Sequence, residues 1–144
     1  MPADRIAWVR SLGARQQRRL YAMCAGSPVE VDELVRDGVV YVRHIGKNAL
    51  PMFHHFEKRM TRHERQVVGY NETAFPAPFR TIASWVTGPG HFTAYPSPEV
   101  PGEVWFDYRR VPEHRAEGFP PLQSNERGLP ALVFGDMVDV VRRV

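Results

Sequence analysis

His91 is the side chain in this sequence whose type and position best suit acid–base chemistry. It follows the turn signal Gly88-Pro89-Gly90 and opens a β-branched and aromatic run. An imidazole gains or loses a proton near neutral pH, so it can act as a general acid or base. If the protein is an enzyme, we predict His91 as its catalytic residue. The simpler interpretation is a histidine that caps the turn or lies half-buried in the core.

Aromatic side chains on neighbouring strands are predicted to share a surface with His91. Side chains alternate between the two faces of a strand, so residues of matching parity line one face. In the assumed register, this face carries Trp85, Tyr95, Phe106 and Tyr108. Aromatic rings supply apolar contact area at little entropic cost. We therefore predict these four residues as the wall of a small-molecule pocket, although a one-residue slip in any strand would exchange its two faces.

Other reactive residue types show no established catalytic or metal-binding spacing. The six histidines include no HExxH or HxH pattern, and we expect no metal site; His54 and Glu57 would be the first ligands to test. Cys24 stands alone among apolar helix positions, which favours a small buried hydrophobe over a nucleophile. No GxSxG elbow, phosphate loop or dinucleotide fingerprint occurs, so we expect no cofactor.

The strands that would position these residues lie in the second half of the chain. Residues 79–96 predict two strands joined through a turn, and residues 104–111 predict a third strand. Shorter strands are predicted at 39–45, 66–70 and 132–134. Together they indicate an antiparallel meander of four to six strands, open or partly closed into a barrel.

Helical periodicity dominates before residue 61. The pattern predicts an N-terminal helix that is either continuous or broken near Gly13 into two shorter helices. It also predicts a short helix over 29–36 and a helix over 49–60 capped by Asn48. A last helix is predicted after Asp136, and its apolar valines should pack into the domain or against a second subunit. Residues 112–130 predict a loop that either wraps on the sheet or forms a mobile flap. The fold class is therefore α+β, with N-terminal helices packed on an antiparallel sheet in one domain over 1–144.

Composition excludes few functions. The net charge is +3, with twelve Lys/Arg against seven Asp/Glu in residues 1–65 and seven against nine in residues 66–144. The arginines of the N-terminal helical segment scatter around its surface and form no stripe. This pattern favours a solvated helix surface over a nucleic-acid-binding surface. No apolar run is long enough for a signal peptide or a membrane span, so we expect a cytoplasmic protein that does not contact a membrane.

Two functions from different classes remain open. The first is a small-molecule-binding protein or small enzyme with an aromatic pocket and one histidine. The second is a non-catalytic interaction module that docks a protein or nucleic acid through the basic N-terminal half. Homo-oligomerisation through the C-terminal segment is compatible with either function.

Overall fold

The computed structural model describes residues 4–36, 38–47, 55–63, 65–73, 88–126, 130–131 and 134–143. Trp85 and the first strand predicted within residues 79–96 lie outside the described residues. The start of the helix predicted over 49–60 also lies outside them, up to His54.

Three short helices precede the sheet. They are α1 (Arg5–Ser11), α2 (Ala14–Met23) and α3 (Val31–Leu34). The Asp4 carboxylate caps α1 by accepting a hydrogen bond of 2.9 Å from the backbone N–H of Ala7. Gly13 separates α1 from α2, so the structure has the broken arrangement and not the continuous helix.

Six antiparallel strands follow in the described residues and pair in chain order. They are β1 (Val42–Lys47), β2 (His55–His63), β3 (Gln66–Thr73), β4 (His91–Pro96), β5 (Val104–Asp107) and β6 (Val138–Val141). Each strand pairs with the next one along the chain, as a meander requires. The prediction of an α+β fold with helices and an antiparallel meander is confirmed.

The sheet curls into a half-barrel. In a flat sheet, β2 and β6 would lie about 19 Å apart, because neighbouring strands are spaced by about 4.8 Å. The Lys58 ammonium on β2 nevertheless lies 2.9 Å from the Asp139 carboxylate on β6. Only a strongly curved sheet brings these side chains together, and both therefore lie on its concave face.

Each face of the half-barrel has its own apolar cluster. On the concave face, side chains of the strands pack with Leu34, Val35 and Phe134. On the other face, Ala116 and Phe119 cover residues of β3. The described part of the predicted loop, residues 112–126, thus wraps on the sheet, which confirms the first of its two predicted arrangements.

The helix predicted over 49–60 is wrong for its last residues, because β2 begins at His55. Phe56 and Met60 are four residues apart, a spacing that places two side chains on one side of a helix and also on one face of a strand. Lys58 lies between them on the same strand face and is buried. Because Lys58 is charged, the sequence does not show the alternation of apolar and polar residues that is typical of a strand.

The last helix is also wrong, because residues 138–141 form β6. Three of these four residues are valines, and β-branched residues suit a pleated surface better than a helix. Phe134, predicted in an edge strand, is helical in the structure. The expectation that the C-terminal segment packs into the domain is confirmed, since β6 pairs with β5 along its whole length.

Candidate functional site

The structure divides the predicted aromatic pocket between the two faces of the sheet. Tyr95 pairs with Trp105, and Phe106 pairs with Ala94. Directly paired residues share a face, so His91 and Tyr95 lie on one face and Phe106 and Tyr108 on the other. The assumed register between β4 and β5 was wrong by one residue.

His91 lies on the convex face and is fully buried. Its Nε2 donates a hydrogen bond of 3.2 Å to the carbonyl of Pro121, and the Tyr70 ring lies 6.0 Å away, centroid to centroid. Its Nδ1 has no hydrogen-bond partner among the described residues. Burial lowers the pKa of His91, and the bond to Pro121 only partly offsets that effect. The segment 112–126 therefore covers the imidazole. The role of His91 as an acid or base stays a prediction.

Tyr95 belongs to a polar cluster on the same convex face. Its hydroxyl donates a 2.5 Å hydrogen bond to Asp107, and the Arg109 guanidinium contacts both carboxylate oxygens of Asp107 at 2.8 and 2.9 Å. Burial opposes ionisation of Asp107, but the hydrogen bonds from Arg109 and Tyr95 prevail and lower its pKa to about 2. This arrangement is a satisfied ion pair that holds the end of β5, and it leaves Asp107 little capacity to exchange protons near neutral pH.

The concave face holds a buried lysine that the sequence analysis did not single out. Lys58 is 6% exposed. Its Nζ donates to the Asn71 side-chain oxygen at 2.9 Å, to the Asp139 carboxylate at 2.9 Å, and to the Tyr108 hydroxyl. An ammonium has three N–H donors, so each one is satisfied. We call Lys58, Asn71, Tyr108 and Asp139 the lysine centre.

The other members of the lysine centre also contact one another. The Tyr108 hydroxyl lies 3.2 Å from the Asp139 carboxylate, and it accepts a 3.1 Å hydrogen bond from the Asn71 amide. Lys58 and Tyr108 are both deeply buried, whereas the Asp139 side chain is 39% exposed. The lysine centre therefore reaches solvent through Asp139.

Aromatic rings surround the Lys58 ammonium. The ring centroids of Phe56, Phe92, Phe106 and Tyr108 lie 5.0, 5.2, 5.7 and 5.0 Å from Nζ. Each distance is within the range in which a cation is attracted to a ring face. Two of the predicted pocket residues, Phe106 and Tyr108, are thus brought together around a cation, not around His91.

Burial shifts the protonation of both central groups towards the neutral form. It lowers the pKa of Lys58, although the Asp139 carboxylate opposes the shift through its charge and its hydrogen bond. Burial also raises the pKa of Tyr108 well above 10, and the Asp139 charge adds to this effect. Burial therefore makes Lys58 lose its proton more readily and makes Tyr108 hold its proton more firmly.

Strand pairing sets the positions of these side chains. Lys58 lies directly opposite Asn71 on β3 and His44 on β1. Tyr108 comes one residue after β5, and its backbone N–H donates to the carbonyl of Met137 at 3.1 Å, just before β6 begins. Four strands or strand ends thus contribute to the lysine centre, so it forms only when the half-barrel closes.

One signal in the sequence marks Lys58. The chain has seventeen arginines and only two lysines, Lys47 and Lys58. Lys58 also stands between Phe56 and Met60, at the even spacing of a strand. A lysine at an apolar strand position in an arginine-rich chain is unusual, and this signal could have identified Lys58 as a candidate functional residue.

A separate groove opens at the end of the sheet where β3 begins and β4 ends. It has a volume of about 610 Å³, and its apolar floor includes Val67, Ala94 and Val104. Its rim carries charged side chains of both signs, among them Arg62, Arg65, Arg110, Glu30, Asp32 and Glu103. Two of these side chains, Arg62 and Asp32, form an ion pair of 2.8 Å, so the groove has no uniform charge to select a ligand.

The part of the chain that the structure describes contains no cluster of three or more His, Cys, Asp or Glu side chains that could hold a metal ion. His54 lies outside that part, and Glu57 forms a 2.7 Å ion pair with Arg43. Within the same residues, none of the helices has the length and apolar character needed to cross a membrane.

Comparison of the chain with protein-family models, with curated proteins and with solved structures gives no match. The lysine centre is accordingly interpreted from its own chemistry.

Proposed function

We propose that this protein binds a small organic molecule on the concave face of the half-barrel, with Lys58 as the group that recognises it. The observation that carries the proposal is the Lys58 ammonium, buried among four aromatic rings. Removing an ion from water costs several kcal/mol, and a well-packed apolar residue at such a position is often neutral or stabilising. If this position only had to support the fold, an apolar side chain would serve it at a lower cost in stability than the buried lysine does.

The choice of lysine over arginine supports a chemical role. Arginine accounts for seventeen of the nineteen cationic side chains, so lysine is the exception in this chain. A guanidinium stays protonated at every accessible pH, whereas a buried ammonium can lose its proton. Lys58 is buried, so its surroundings favour loss of a proton.

The lysine centre indicates the class of ligand. The Asp139 side chain is 39% exposed and lies on the edge strand β6, so a ligand can approach Lys58 from this side. A carbonyl or carboxylate oxygen of a ligand would accept a hydrogen bond from Lys58 Nζ beside Asp139. The surrounding rings would then cover the apolar part of that ligand, as in other largely apolar sites with a few polar groups.

Ligand-induced stabilisation tests this proposal. Wild type and Lys58→Met are purified in parallel, analysed by native mass spectrometry for co-purified molecules, and heated with butyrate, benzoate, butanal or benzaldehyde. A ligand at 100 times its Kd adds about 2.7 kcal/mol, which raises the Tm by roughly 5–10 °C in a domain of this size. The expected result is stabilisation of wild type by at least one compound and none of Lys58→Met.

Lys47→Met is the matched control, because Lys47 donates to the carbonyls of Arg10 and Leu12 outside the lysine centre. This variant should respond to the ligand as wild type does. If wild type and Lys58→Met respond equally to every compound and carry no different co-purified molecule, Lys58 is not the recognition group. The interaction module would then be the better hypothesis, with the exposed arginines of α1 and α2 as its first residues to test.

A further inference from the structure

We propose that Lys58 forms a Schiff base with the carbonyl group of an aldehyde or ketone ligand. This inference rests on the proposed function and names its substrate class and its chemistry. It stands on the geometry of the lysine centre: an amine, a hydroxyl and a carboxylate within hydrogen-bond distance of one another, enclosed by aromatic rings.

The amine of Lys58 is the nucleophile. Only the neutral form of an amine attacks a carbonyl carbon, and lysines that form Schiff bases are commonly activated by an apolar pocket. The four rings around Nζ provide such surroundings, and burial shifts Lys58 towards its neutral form. The Lys47 ammonium instead donates to two backbone carbonyls, those of Arg10 and Leu12.

Tyr108 and Asp139 have separate tasks in this step. As the Nζ–C bond forms, the carbonyl π electrons move to oxygen, and the Tyr108 hydroxyl stabilises that oxygen with a hydrogen bond. Asp139 accepts a proton from the attacking nitrogen and passes it to the oxygen, which gives a neutral carbinolamine. The nitrogen lone pair then expels the hydroxyl, which leaves as water with the second amine proton. One amine and one carbonyl thus become one imine and one water.

The positions of the two groups agree with these tasks. Tyr108 is deeply buried, and its raised pKa keeps the hydroxyl protonated as a donor. Asp139 lies 2.9 Å from Nζ and is partly exposed, so it can exchange protons with water between turnovers. Asn71 contacts both Lys58 and Tyr108 and acts as a positioning residue.

Reductive trapping tests the proposal on the full chain. The protein is incubated at neutral pH with butanal or benzaldehyde and sodium cyanoborohydride, which converts an imine into a stable secondary amine. Digestion and mass spectrometry then report the modification of each lysine. Because the chain has only two lysines, Lys47 is an internal control in the same molecule.

We expect Lys58 to be modified faster than Lys47, because burial lowers the pKa of Lys58 and only the neutral amine attacks a carbonyl carbon. Tyr108→Phe keeps the ring and removes the hydroxyl, so it should slow modification of Lys58 and leave that of Lys47 unchanged. Modification of Lys58 at or below the rate of Lys47 in wild type would overturn the inference without any variant. If Lys58 is unmodified but the compounds still stabilise wild type and not Lys58→Met, the Schiff base fails and the proposed function stands. If both effects are absent, both proposals fail.

Discussion

Replacement of Lys58 by methionine is expected to stabilise the fold while it removes the proposed function. Methionine has a similar length and no charge, so the variant no longer carries the cost of burying an ammonium. No buried charge remains unpaired, because the Asp139 side chain is 39% exposed and can be hydrated. Tyr108 and Asn71 keep their mutual hydrogen bond of 3.1 Å.

The magnitude follows from three contributions. Replacing a buried ion pair by apolar residues typically changes stability by between zero and about 4 kcal/mol in the favourable direction. The lost cation–ring contacts, about 0.5–1 kcal/mol each at exposed sites and more when buried, are offset in part by contacts of the methionine sulfur with the same rings. We therefore expect Lys58→Met to raise the free energy of unfolding by up to about 3 kcal/mol at pH 7, or the Tm by roughly 2–4 °C per kcal/mol.

Urea unfolding of wild type, Lys58→Met and Lys47→Met measures this effect. Lys47→Met should lose about 0.5–1 kcal/mol, because it removes a cation from the carbonyls at the end of α1. The advantage of Lys58→Met should shrink as the pH rises towards 10.5. In that range the unfolded lysine binds more protons than the buried one, so wild type gains stability with pH. If Lys58→Met loses more than about 2 kcal/mol at pH 7, Lys58 holds the fold together and its burial no longer argues for a function.

Three further predictions concern the rest of the sheet. Asp107 has a pKa of about 2 in the fold against 3.8 as a free side chain, so Asp107→Asn should lose about 2 kcal/mol at pH 7. Urea unfolding should show most of this difference disappear as the pH falls from 4 to 2. An unchanged difference at pH 2 would contradict the role of the Arg109 ion pair. A Cβ on Gly69 would lie 2.4 Å from the Phe92 ring and 2.8 Å from the Arg59 carbonyl. Gly69→Ala should therefore lower the free energy of unfolding by about 1–3 kcal/mol or more. An unchanged Tm would refute this packing. Burial lowers the pKa of His91, so the NMR signal of its ring should titrate with a midpoint below 6.5. The contribution of the neutral His91 to stability should be complete above pH 6.5 and lost as the pH falls further. A midpoint at or above 6.5 would contradict the burial of His91.

The sequence predicted the existence of β4 and β5 but not the register between them. Both strands are rich in β-branched and aromatic residues, which is the most dependable strand signal. Their register depends on the connection after Pro96, where the backbone N–H of Ser97 donates to the carbonyl of Glu103 at 2.8 Å and aligns Pro96 with Val104. Composition does not determine the parity of such a loop, and one residue of error assigned Tyr95 and Phe106 to the same face.

The lysine centre escaped prediction for a different reason. Its members are up to 81 residues apart in the sequence, since Lys58 and Asp139 meet only through the curvature of the sheet. Lys58 lay in a segment interpreted as a helix, and Asp139 in another. Phe106 and Tyr108 do lie on one face, because parity along a single strand is readable without knowledge of the register.

NMR titration of the lysine side chains measures whether Lys58 is the group that responds to a ligand. Protein labelled with ¹³C at the ε-carbon of lysine has two signals to assign, and Lys58→Met identifies that of Lys58. We expect the Lys58 signal to titrate with a midpoint below 10.5 and to shift when a compound that stabilises wild type is added. A midpoint at or above 10.5, together with no response to any such compound, would show a permanently charged structural lysine and would refute the proposed role of Lys58 in recognition.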